Sequence, residues 1–136
     1  MDLDLIGAEL GVQPDGDDLV PRGLWRVEDG PHVCLAGVRD GRPVEISFTG
    51  GAMVTRVRVV VPELQALGNA AGALVPDAGT PPSAVAALRR TGELGDLWRD
   101  VRVSGGPDGL VAVRRADLSG YLLDLWLLER LAEALS

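Results

Sequence analysis

The sequence predicts an α+β domain: an antiparallel four-strand meander with a C-terminal hairpin, one face of the sheet covered by helices. Three observations carry this. Val44, Ile46 and Phe48 alternate with Glu45, Ser47 and Thr49, the two-residue period of a half-buried strand. Asp40-Gly41 and Gly50-Gly51 flank that run and suit primed hairpin turns, which need positive φ at low cost. The last sixteen or so residues carry apolar side chains at helical spacing.

Counting two residues per turn yields a register. Val44 faces Val57, Ile46 faces Thr55, Phe48 faces Met53 and Glu45 faces Arg56, while Leu35 faces Ile46 and Val33 faces Phe48. Three segments then share one apolar face, and a one-residue slip in any of them breaks the agreement.

Taken in order, Leu3, Ile6 and Leu10 have helical spacing, with Asp2 and Asp4 at the positive end of the helix dipole and Gly11 as the stop. Gln13 to Arg22, with Pro14, Gly16, Pro21 and three aspartates, reads as loop. Its acidic cluster lacks the alternation and distal Glu of an EF-hand loop, so calcium is not expected. Leu19-Val20-Pro21-Arg22-Gly23 has the look of a protease site but is treated as native. Leu24 to Glu28 is a strand with Trp25 and Val27 facing inward, joined through Asp29-Gly30-Pro31 to the next. The meander therefore runs from about Leu24 to Val61 and ends at Pro62.

From Glu63 to Leu74, Leu64, Leu67, Ala71 and Leu74 stand at helical spacing, so a frayed helix is expected although Gly68 and Gly72 each weaken it by about 1 kcal/mol. Val75 to Pro82 is an exposed connector, Ser83 caps a helix running to about Arg90, and Leu94, Leu97 and Trp98 cover an edge of the core. Val101 to Val103 and Leu110 to Val113 form the second hairpin around Gly105 to Gly109. Asp117 or Ser119 opens the final helix, where Tyr121, Leu125, Leu128, Ala132 and Leu135 make one seam. Leu123, Leu127 and Leu131 widen that seam, and Leu122 and Trp126 lie on its far side. So wide an arc calls for either the N-terminal helix or a second copy of the chain beside it.

Composition bounds the function. The 136 residues fit one domain, residues 1–136, with an ordinary 46% hydrophobic and 24% charged content. A net charge of -7 argues against nucleic acid as a partner. All 13 basic residues are Arg, which reads as genomic base composition in a bacterium before it reads as anion recognition. One cysteine excludes an internal disulfide, no secretory signal opens the chain, and Asp124, Glu129, Arg130 and Glu133 interrupt the most apolar run. A cytoplasmic protein without a membrane span is expected.

Catalytic groups are scarce. His32 and Cys34 lie two apart on one strand, but a turn histidine beside a small strand residue accounts for them better than a thiolate–imidazole pair does. One His and one Cys cannot complete a structural zinc site, and no glycine-rich stretch has the context of a phosphate loop. No catalytic residue, metal or cofactor is expected. The assigned faces turn Arg26, Arg56, Arg58, Arg102 and Arg114 outward with His32, a locally basic sheet surface suited to a carboxylate ligand or an acidic partner segment.

The run Thr91-Gly92-Glu93 through Trp98-Arg99-Asp100-Val101-Arg102-Val103, with Val111-Ala112-Val113-Arg114-Arg115 and the Leu-rich last helix, resembles the C-terminal half of small uncharacterised bacterial α+β domains. That family implies no activity. In layout alone, the order of elements is similar to that of type III secretion chaperones, acidic homodimers that bind an extended client. The expected function is a non-enzymatic interaction module or accessory subunit, homodimeric or part of a larger assembly, binding another protein or a second copy of itself, with Leu122 and Trp126 at the interface. The alternative is a domain that binds a small anionic ligand on the Arg-lined face.

Overall fold

The computed structural model of the protein describes residues 3–15, 18–29, 32–49, 51–69, 74–92, 98–115 and 120–135. The chain runs α1 (Leu3–Leu10), β1 (Gln13–Asp15), β2 (Asp18–Val20), β3 (Leu24–Asp29), β4 (His32–Arg39), β5 (Arg42–Thr49), β6 (Ala52–Val57), β7 (Leu64–Gly68), β8 (Leu74–Pro76), α2 (Pro82–Gly92), β9 (Arg102–Gly106), β10 (Gly109–Arg115) and α3 (Gly120–Leu135). It is α+β, as expected, but the sheet is larger than a meander with a hairpin. Eight antiparallel strands lie in the order β3-β4-β5-β6-β10-β9-β7-β8, and β1 and β2 form a separate two-stranded ribbon.

The central register agrees with the sequence pair for pair: Leu35 with Ile46, Val33 with Phe48, Val44 with Val57, Ile46 with Thr55, Phe48 with Met53 and Glu45 with Arg56. The first turn has positive φ at both Asp40 (49°) and Gly41 (75°), the backbone of a type I′ hairpin whose twist matches its strands. β10 then pairs with β6, placing Leu110 beside Val57 and Ala112 beside Thr55, and the shared apolar face continues through Val103 of β9 and Ala66 of β7.

That face carries the core. Leu35, Ile46, Met53, Val57, Leu110 and Ala112 are buried beneath α3, which offers Leu125, Leu127, Leu128, Leu131 and Ala132 in return. α3 lies over β6 and β10, with α1 and α2 packed against it. The seam of the last helix is thus buried within one chain, while Leu122, Leu123, Trp126 and Leu135 are half-buried at its margin. Trp126, half-buried, donates from Nε1 to Glu9 Oε2 of α1 at 2.7 Å, and the Arg130 guanidinium stands 5.9 Å from its ring.

Among the described residues, two ion pairs fasten the sheet to this helix. Arg114 of β10 grips Asp124, Nη2 to Oδ1 at 2.8 Å, and Asp124 is fully buried. Arg39, at the end of β4, pairs with Glu129 and donates from Nη1 to the carbonyl of Leu10 at 2.8 Å and to that of Arg22 at 2.6 Å. The Leu10 carbonyl also accepts from the Arg22 N–H at 3.1 Å, so Arg39 adds a second bond at the end of α1 while joining that end and the Arg22 segment to α3.

Four expectations are corrected. Residues 64–68 are a strand, not part of a frayed helix, and Leu74–Pro76, expected as the end of that helix and the start of an exposed connector, are another: Leu64, Ala66 and Gly68 alternate inward with Gln65 and Leu67 outward, and β7 completes its backbone bonding on the free side of β9. The expected loop from Gln13 to Arg22 contains the β1–β2 ribbon. Trp25 and Val27 face away from the helices, because pairing Asp29 with His32 sets Trp25 opposite Ala36 and Arg26 opposite the buried Leu35. Arg26 and Arg114 accordingly belong to the helix-covered face, where Arg114 is accepted because Asp124 meets it. Leu94, Leu97, Asp117 and Ser119 lie outside the described residues, whereas Trp98 is fully buried as expected.

Candidate functional site: the uncovered sheet face

Strand alternation that sends Leu35, Ile46 and Val57 under α3 sends their neighbours to the other face, against which none of the described helices is packed. One row across this face runs from Trp25 through Ala36, Glu45, Arg56 and Val111 to Ser104. The next runs from Val27 through Cys34, Ser47, Val54 and Val113 to Arg102, Leu67 and Val75. Apolar side chains are numerous in both. Trp25 is 60% exposed, and Val27, Val38, Leu67, Val75 and Val113 are exposed as well. A scattered surface valine is ordinary; here the exposed apolar residues are collected on one face together with an open tryptophan.

The face is also indented. A cleft of about 590 Å³ lies between the β9–β10 turn and β7, with Arg56, Glu63, Asp77, Thr80, Ser104 and Asp108 among its walls. A second, of about 480 Å³, includes Glu45, Arg56, Arg58 and Asp108. The two clefts share Arg56, Asp108, Gly109 and Val111 among their lining residues. Gly109 is held at φ 124°, and a Cβ there would stand 2.4 Å from the Val57 carbonyl oxygen, so this shared lining position is a glycine that no other residue replaces without shifting backbone.

Of the expected anion-binding set, Arg56, Arg58 and Arg102 are exposed, the first two in one cleft and Arg56 and Arg102 on the same sheet face. Arg26 and Arg114 are on the other face, so the five arginines do not form one basic patch. His32 begins β4 opposite Asp29, and its side chain lies outside the described residues. Carboxylates of Glu45, Glu63, Asp77 and Asp108 line the same clefts as Arg56, giving a surface of mixed charge. Leu122 and Trp126 are half-buried beside the core.

Among the described residues, no group of three or more His, Cys, Asp and Glu side chains could hold a metal ion. No helix among them is long and apolar enough to cross a membrane. Sequence reasoning missed the apolar character of this face because it assigned Trp25 and Val27 inward by hydrophobicity, when counting back from Asp29 and His32 would have turned both outward. Compared with known proteins, the chain matches no protein-family model, no curated protein and no solved structure.

Proposed function

We propose that this domain is a non-enzymatic interaction module that binds another protein on the uncovered face of its sheet. The observation that supports it is the contrast between the two faces. Tyr121, Leu125, Leu127, Leu128 and Leu131 of α3 are buried and its other large apolar residues half-buried, whereas Trp25, Val27, Leu67, Val75 and Val113 remain exposed on one side of an eight-stranded sheet. Burial of such side chains yields about 1.5–3 kcal/mol each, enough for a few of them to anchor a partner. Arg56 and Arg102 among them provide charge that fixes orientation more than affinity. A free cysteine fits a cytoplasmic, reducing setting for the complex.

Replacing Val113 with Asp and Arg56 with Glu should abolish recovery of the partner that copurifies with the native protein while leaving the melting temperature within a few degrees. Undiminished recovery of that partner would place its binding elsewhere. A second reading, capture of a small carboxylate or phosphate, is favoured by Arg56 and Arg58 lining one cleft. It requires saturable thermal stabilisation by such an anion that the Arg56→Glu substitution removes.

A further inference from the structure

Another cleft of the uncovered face, of about 550 Å³, lies on β7, β8 and β9 and includes neither Arg56 nor Arg58. Leu67, Val75 and Pro76 are in its walls, Gln65 lies beside them, and its charged side chains are Arg102 and Asp77. That volume is in the range of small-molecule sites.

The register explains how this cleft is laid out. Arg102 of β9 pairs with Leu67 of β7, and Leu67 with Val75 of β8, so the three form one row across the strands, turned away from the helices. Strands lie about 4.8 Å apart, so the row from Arg102 to Val75 covers about 10 Å. Past the guanidinium it presents only hydrocarbon. β9 is held by β10 on one side and β7 on the other, and Val101 and Val103 on either side of Arg102 are fully buried, so the base of the side chain is fixed. Arg26, Arg39, Arg114 and Arg130 each meet a carboxylate, Glu28, Glu129, Asp124 and Glu9 respectively. Arg102 meets none among the described residues, although acidic residues outnumber arginines in a chain of net charge -7.

We propose that this cleft binds a small aliphatic monocarboxylate, its carboxylate gripped by Arg102 and its chain laid over Leu67 and Val75 toward Pro76. The planar guanidinium fork matches a carboxylate in bidentate geometry, and the row behind it rewards hydrocarbon. A peptide on the same row would bring amides to side chains that offer them no partner, a cost that an alkyl chain escapes. Nor does a peptide add readily as a strand there, because β8 is three residues long and Pro76 has no N–H to give. Asp77, whose Oδ1 accepts from the Ala78 N–H at 3.0 Å, follows β8 and opposes a second negative charge at that end, which favours a monoacid over a diacid. This goes beyond the protein-binding reading of the face: the ligand covers Leu67 and Val75 and leaves Trp25, Val27 and Val113 to a protein partner.

Calorimetric titration of the purified full chain with sodium octanoate, whose length matches the row, tests it. Octanoate should bind saturably at one site with a dissociation constant of about 1 mM or lower. Affinity should rise about twofold per methylene from butanoate to octanoate, as each is partly covered. Octan-1-ol and octylammonium have the chain without the carboxylate, and acetate has the carboxylate without the chain; each should bind about tenfold more weakly or worse. Arg102→Gln should lose about tenfold or more in octanoate affinity with parent-like circular dichroism, and Arg102→Lys should recover part of that loss, keeping the charge without the fork. No saturable octanoate binding at about 10 mM, octan-1-ol binding as tightly as octanoate, or undiminished affinity in Arg102→Gln would overturn the proposal. The titration needs no protein partner, so its failure leaves the reading of the face standing, and failed partner recovery leaves this site standing.

Discussion

Arg114 and Asp124 meet in the interior, Nε to both carboxylate oxygens at 3.2 Å and Nη2 to Oδ1 at 2.8 Å, joining the last strand to the helix that covers the sheet. Removing one member leaves a buried charge without its counter-ion. Asp124→Ala is expected to lose about 3–5 kcal/mol in urea unfolding. Replacing both by Leu should cost much less than either single change, and a double-mutant cycle measures the difference.

Thr55 sits on the same face, fully buried between Ile46 and Ala112, and its hydroxyl has no hydrogen-bond partner among the described residues. A hydroxyl shut away without a partner costs about 1–3 kcal/mol, and valine has nearly the same shape. Thr55→Val should raise stability by about 1 kcal/mol or more in the same unfolding assay; a loss would mean that the hydroxyl is satisfied.

Gly68 separates strand from helix by the sign of a single substitution. In an exposed helix, Gly→Ala stabilises by about 1 kcal/mol. In β7 a Cβ at this position would stand 1.5 Å from the Trp98 carbonyl oxygen, so backbone must move. Gly68→Ala is expected to lose about 1–3 kcal/mol, read as a lower melting temperature.

Tyr121 gives a pH dependence. Its ring packs edge-on against Phe48 with centroids 5.9 Å apart, and its hydroxyl donates to the Leu19 carbonyl. Burial pushes its pKa up, with the positive charge of Arg26 acting the other way. In the unfolded chain the phenol ionises near its ordinary value of about 10. The unfolded state therefore gives up this proton first as pH rises, and the folded state gains no matching stabilisation. The contribution is fully present below about pH 10 and is lost as pH climbs through the folded-state value. Melting temperatures should fall above pH 10, less steeply in Tyr121→Phe, and as Tyr121 is the sole tyrosine its ionisation can be followed directly by absorbance.

The contrast between what the sequence disclosed and what it hid is physical. The strands from Leu35 to Val57 were legible to the residue because two short turns with glycine transmit register from one strand to the next, so local chemistry determines pairing. β7 was hidden because Leu64, Leu67, Ala71 and Leu74 imitate helical spacing, while the inward residues Ala66 and Gly68 are too small to announce a strand. The inward turn of Arg114 depends on Asp124 on a different element, a non-local partner that alternation cannot reveal. Trp25 was misplaced for the reason that makes it informative: hydrophobicity argued for the core, register put it outside, and the surface it creates is the candidate site.

A photoactivatable amino acid at position 113, with controls at Leu122 and Glu133 on the final helix, tests the central claim most directly. Irradiation of the native assembly should give a discrete protein adduct from position 113, identified by mass spectrometry and absent from both helix positions. Adducts from Leu122 with none from position 113 would contradict the account and return the interface to α3.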